Sequence, residues 1–141
     1  MNERGVFVLE IAGRPIGGLC SRMLQFASGH ELEEVILRHA AGDDDGSAER
    51  LREGGSGVMM IPIPMRKPGV YRGVTGVEDA LAVPGIEGLE ITAKEGHELV
   101  PLPEGASYLG FLFARGAAAE AALRSAHGKL RFGFTESLPV L

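Results

Sequence analysis

The stretch "YLGFLFARG" (108–116) constrains this chain more than any other. Apolar side chains follow one another there without polar alternation. A strand of that kind faces apolar surroundings on both sides, so it belongs in the middle of a sheet. "AAAEAALRSAHGKL" (117–130) comes directly after it, rich in residues that favour helix. A buried strand followed by a helix needs neighbouring strands on both edges, and the rest of the chain has to supply them.

Glycine and proline limit how long those neighbours can be. With 21 glycines and 8 prolines in 141 residues, turns are frequent and elements short. "VMMIPIP" (58–64) reads as a strand with Pro62 and Pro64 two residues apart, which suits an edge or end position. "GVYRGV" (69–74) is a second strand, and "VEDALAV" (77–83) is a short helix stopped by Pro84 and Gly85. "GLEITAK" (88–94) alternates as a strand with one wet face, and "RFGF" (131–134) closes the sheet. The expected class is α+β: a small mixed or antiparallel sheet with helices on one face.

The front of the chain is organised differently. "VFVLEI" (6–11) reads as a buried strand, "LCSRMLQF" (19–26) as a short helix, and "ELEEVILRHAA" (31–41) as a longer one. In the last, acids crowd the start, Arg38 and His39 lie near the end, and Leu32, Val35 and Ile36 form an apolar face. "GDDDGSAERLREGGSG" (42–57) is polar, charged and glycine-rich, and reads as a loop. The organisation is therefore a front piece (1–41), a loop (42–57) and an α+β domain (58–141).

Charge and cysteine content exclude several roles. A net charge of −5 and the lack of a basic stripe argue against nucleic-acid binding. A single Cys20 cannot form an intrachain disulfide or a cysteine metal site, which fits the cytoplasm. No apolar run reaches the roughly 18 residues of a membrane span. "MNERG" has no apolar core of a signal peptide, so neither membrane nor export is expected.

The residues that invite chemistry lie in "VLEIAGRPIGGLCSR" (8–22). Glu10 is a carboxylate among Val, Phe, Leu and Ile. A charge there calls for a partner, a metal or an exposed strand end, and Arg14 is the nearest cation. Arg14 lies in a glycine-rich turn ahead of a helix, an arrangement that suits an anion and equally a surface turn. The spacing is not that of a P-loop. His30, His39, His97 and His127 show no metal-ligand spacing, and Cys20 and Ser21 lack a nucleophile's context.

With those residues in view, "VLEIAGRPIGGLCSRML" resembles the last metal-binding strand and loop of ATP-grasp ligases, the pattern E-x-N-x-R-x-G-G. "SGVMMIPIP", the stretch from "GVEDALAVPG" to "YLGFLFARG", and "AEAALRSAHGKLRF" resemble the C-terminal domain of the L-amino-acid ligase and carnosine-synthase-like branch. "GHELVPLPEGASYLGF" is also similar to the corresponding end of biotin carboxylases. The resemblance implies an enzyme that activates a carboxylate as an acyl phosphate and lets an amine capture it, using ATP and magnesium. It implies Glu10 as a magnesium ligand, Arg14 as the contact to the transferred phosphate, and Gly17 and Gly18 as the approach for backbone amides. Ala12 stands where the pattern has Asn.

The adenine hinge, the phosphate-binding lysines and the earlier acidic ligand of that fold would all lie upstream of this sequence. The expectation is a C-terminal fragment or subunit, inactive alone, completed by an ATP-grasp N-terminal half. The alternative is a non-catalytic α+β module that homodimerises over an open strand edge. A small independent enzyme using Glu10 and Arg14 ranks last, since no nucleophile, base or second carboxylate accompanies them.

Overall fold

In a computed structural model, the structure describes residues 5, 8, 10, 11, 17–24, 26, 28–43, 54–105 and 107–136. The order is a 3-10 helix (Cys20–Met23), α1 (Leu32–Ala41), β1 (Ser56–Ile61), β2 (Gly69–Thr75), α2 (Val77–Leu81), β3 (Ile86–Ile91), β4 (Glu98–Leu99), β5 (Gly110–Arg115), α3 (Ala119–His127) and β6 (Arg131–Glu136). The class is α+β, as expected.

The sheet expectation needs one correction. The strands form two three-stranded sheets, β1-β5-β3 and β4-β2-β6, and all the pairings are antiparallel. β5 is the central strand of the first, and β1 is its edge. Pro62 and Pro64 follow directly after Ile61, where the pairing with β5 ends. A second strand, β2, is central because β6 returns to it after α3. The two-residue β4 pairs with the other side of β2 and has no counterpart in the sequence reading.

Alternation along β5 splits its side chains between two cores. Leu112 and Ala114 join Ile61, Leu109, Tyr71 and Leu99 in one cluster, closed by Ala119, Ala122, Leu123 and Ala126 of α3. Helices α2 and α3 both lie against this first sheet. Phe111 and Phe113 point the opposite way, into a smaller cluster with Cys20 and Met23. Close packing of backbone fixes one glycine in this frame. A Cβ on Gly76, which has φ +81°, would stand 2.2 Å from the carbonyl oxygen of Lys129.

The front piece departs from its reading. Residues 6, 7 and 9 lie outside the described residues. Val8 and Ile11 have no strand assignment and are 74% and 86% exposed, so the expectation of a buried strand at 6–11 does not hold where it can be seen. Apolar character marked a surface that wants cover, and no described residue provides it. Within 19–26, read as a short helix, Cys20–Met23 form a 3-10 helix, and Met23 and Phe26 are buried as their spacing implied. Helix α1 forms where expected and ends on Gly42 in the left-handed region, with Gly42 and Asp43 donating to the carbonyls of His39 and Arg38. None of its residues is fully buried: Leu32 and Val35 are half-buried, and Ile36 and Leu37 are exposed. β1 starts at Ser56, within the stretch read as loop, and residues 44–53 of that stretch lie outside the described residues.

Leu112 is fully buried and Leu102 is 65% exposed. Leu112→Ala should cost about 2–5 kcal/mol in a denaturant titration. Leu102→Ala should stay within about 0.5 kcal/mol of the parent.

Candidate functional site

The glycine turn of the sequence motif sits directly on β5. Gly18 has φ +69°, and a Cβ there would stand 2.8 Å from the ring edge of Phe111. Glycine is therefore required both by the backbone conformation and by the close approach to the ring. Gly17 is different: it is exposed, and the space where its Cβ would go is open.

The turn that follows is tied to four separate elements. Cys20 and Met23 bury against Phe111 and Phe113, with Leu19, Val58 and Tyr108 packed around them. Phe111 and Phe113 lie stacked with centroids 6.4 Å apart. Arg22 pairs with Glu90 of β3 and stands over the Phe113 ring at 6.0 Å. The Ser56 hydroxyl donates to the carbonyl of Met23 at 3.1 Å, linking the turn to β1. The Ser21 hydroxyl donates to Glu33 Oε1 at 2.7 Å, linking it to α1. An open cleft of about 290 Å³ remains between Arg22, Met23, Phe113 and residues 87–90 of β3.

That Ser21 contact sets the state of Glu33. It holds the carboxyl below its ordinary value of 4.5, and the residue's own backbone N–H adds to the effect. Among the described residues the cysteine and histidines are not grouped into a catalytic set. Cys20 is buried. His30 Nε2 lies 3.6 Å from Glu34, an exposed helix pair, and His97 contributes its carbonyl to the Tyr71 N–H.

The sequence-predicted residues are thus only partly brought together. Gly18 is held against β5, Gly17 is adjacent to it, and Glu10 is exposed. Arg14 lies outside the described residues. Two residues, Pro15 and Ile16, separate Arg14 from the glycine pair where the ATP-grasp pattern has one. Among the described residues no group of three His, Cys, Asp or Glu side chains could hold a metal ion. Glu10 alone is not a magnesium site, and no step through the metal follows from these residues. Sequence reasoning missed the Arg22–Glu90 and Ser21–Glu33 contacts. Their partners lie 68 and 12 residues apart, and nothing in either local pattern marks them.

Residues 62–131, which carry β2 to β5, both flanking helices and the floor under Gly18, match the family model described as L-amino acid ligase C-terminal domain 2. Over these residues the chain is similar to that domain. The L-amino acid ligase of Bacillus licheniformis, known from its crystal structure, matches over 77% of this chain with a TM-score of 0.57 and 17% identity. That likeness concerns the fold. The chain spans 27% of the length of that ligase. No curated protein matches the chain. Among the described residues, no helix is long and apolar enough to cross a membrane. The matched stretch supplies β3 and β5 of the first sheet and β2 and β4 of the second, and the glycine turn precedes it in sequence while packing on β5.

A depressed carboxyl stabilises the fold above its unfolded value and loses that contribution as pH falls through its folded value. The Ser21–Glu33 contact should therefore help above pH 4.5 and fade below it. Ser21→Ala should move the Glu33 titration upward, toward 4.5, in a side-chain NMR titration. Gly18→Val should destabilise the chain by about 1–3 kcal/mol through the strained backbone, with loss of the Phe111 ring shifts in the same spectra.

Proposed function

We propose that this chain is the C-terminal part of an ATP-dependent carboxylate–amine ligase of the L-amino-acid ligase type, working through an acyl phosphate. The observation that carries this reading is the seat of Gly18 on Phe111, a residue of the family-matched stretch. The motif turn and the ligase domain are one packed unit, as a phosphate-facing wall needs to be. In this reading Glu10 is the magnesium ligand and Arg14 the contact to the phosphate, where a planar guanidinium suits the oxygens. Gly17, with its open Cβ position, is where backbone comes nearest the substrate. ATP and magnesium bind only once an ATP-grasp N-terminal half completes the site, and the assembled protein works in the cytoplasm.

A second reading is favoured by the exposure of Val8 and Ile11 and by Leu37 on α1, which is 68% exposed. These residues leave apolar surface open to a partner. In this reading the chain is a non-catalytic module that pairs with its own copy.

Calorimetry with MgATP separates the readings from a self-sufficient enzyme: the chain alone should show no tight binding, and stoichiometric tight binding would contradict a fragment. Affinity capture from the native extract should then return a polypeptide carrying the ATP-grasp N-terminal half. Adding it should give amino-acid-dependent phosphate release that Arg14→Ala reduces by about 10²–10³-fold. Failure to reconstitute, together with a dimer by light scattering, would favour the second reading.

A further inference from the structure

Among the described residues the two sheets end in four strands: β1, β3, β4 and β6. An edge strand presents unpaired backbone donors and acceptors, and proteins blunt such edges with proline, bulges, charge or shortness. Three of these four are blunted. β1 runs into Pro62 and Pro64. β3 shifts register between Ile86 and Gly88, and it carries Glu87 and Glu90 within six residues. β4 is two residues long. β6 has none of these features. It runs from Arg131 to Glu136 without proline, and its charges stand at its two ends. The bulge in its pairing with β2 belongs to β2, where Arg72 is the extra residue. Between the charged ends lie Phe132, Gly133, Phe134 and Thr135, and Phe and Thr both favour strands.

The two faces of β6 differ. Phe132 and Phe134 pair with Val74 and Tyr71 and pack on the core, the Phe134 ring lying 5.7 Å from that of Tyr71. Both phenylalanines are only half-buried at this edge. Arg131, Gly133 and Thr135 alternate with them on the opposite face and are exposed. Residues directly opposite one another in an antiparallel pair share a face. A second β6 must therefore align so that core-facing residues meet core-facing ones. A register centred on Gly133 does so: Gly133 meets its own copy, Phe132 meets Phe134, and Arg131 meets Thr135. A centre at Phe134 would set Phe132 against Glu136, and a centre at Phe132 would pair only Arg131–Gly133. The strand is self-complementary in one register.

We propose that a second copy of this chain pairs with the outer edge of β6, antiparallel about a twofold axis at Gly133, and joins two β4-β2-β6 sheets into one. Each Phe132 then lies beside Phe134 of the other copy, an aromatic cross-strand pair that covers what the monomer leaves half-exposed. On the opposite face Gly133 puts no side chain at the axis, so the two strands meet there without a clash. β6 belongs to the sheet that does not carry the glycine turn. The interface therefore stands or falls independently of the ligase reading, and it is separate from the exposed apolar residues of the front piece.

Sedimentation equilibrium of the whole chain over a concentration series tests this, and a monomer–dimer equilibrium is expected. Gly133 has room for a probe, since a Cβ there would come no nearer than 3.4 Å to the Arg72 Cβ, an ordinary contact. Gly133→Lys sets two ammonium groups opposite each other and should weaken association about fivefold or more. Gly133→Glu should weaken it likewise. An equimolar mixture of the two variants should associate more tightly than either alone, a rescue that damage to the fold would not give. Thermal midpoints establish that the variants fold, and Thr135→Lys, which faces Arg131 of the second copy, replaces one that does not. A monomer up to about 1 mM, a dimer indifferent to Gly133→Lys, or a mixture without rescue would overturn the proposal. So would a dimer lost in Leu37→Glu and kept in Gly133→Lys, since Leu37 lies on the exposed surface of α1.

Discussion

The rest of the structure depends on β5 being apolar on both faces. A strand buried on both sides cannot stand at an edge, so it recruits β1 and β3 as partners. It also needs cover above and below. Helix α3 follows directly and covers one face through Ala119, Ala122, Leu123 and Ala126. The other face, carrying Phe111 and Phe113, is closed by a turn from the front of the chain. Each Phe buries a large apolar area, and without Cys20 and Met23 that area would meet water. The glycine turn is held in place because a hydrophobic face needs a lid.

What could be read from the sequence was what short-range pattern encodes. The unbroken apolar run of 108–116 marked β5 as central, and the alternate prolines marked β1 as an edge. The alanine-rich stretch gave α3, and the charge gradient and apolar spacing gave α1. The partition into two sheets had no such mark. It arises because β6 pairs with β2 across the whole intervening β-sheet, a long-range choice that local residues do not announce. β4 escaped because two residues are too few to show a period.

The exposure of Val8 and Ile11 could not be read from the apolar run for a related reason. Val and Ile report a preference for cover and say nothing of what supplies it. For the candidate site, the glycines could be read as conformationally special, and Gly18 is. The residues that hold the turn could not be read. Arg22 looks like any surface arginine until Glu90 and Phe113 are brought beside it by the antiparallel pairing of β3 and β5.

The prolines that follow β1 have a consequence for assembly. Among the described residues no strand pairs with the outer edge of β1 over Ser56–Ile61, which leaves room there for a further strand to begin a ladder. Any extension past Ile61 meets Pro62 and Pro64, neither of which has an N–H to offer. A guest strand can therefore make only a short register before the template runs out. Two prolines thus cap the length over which this edge can be extended.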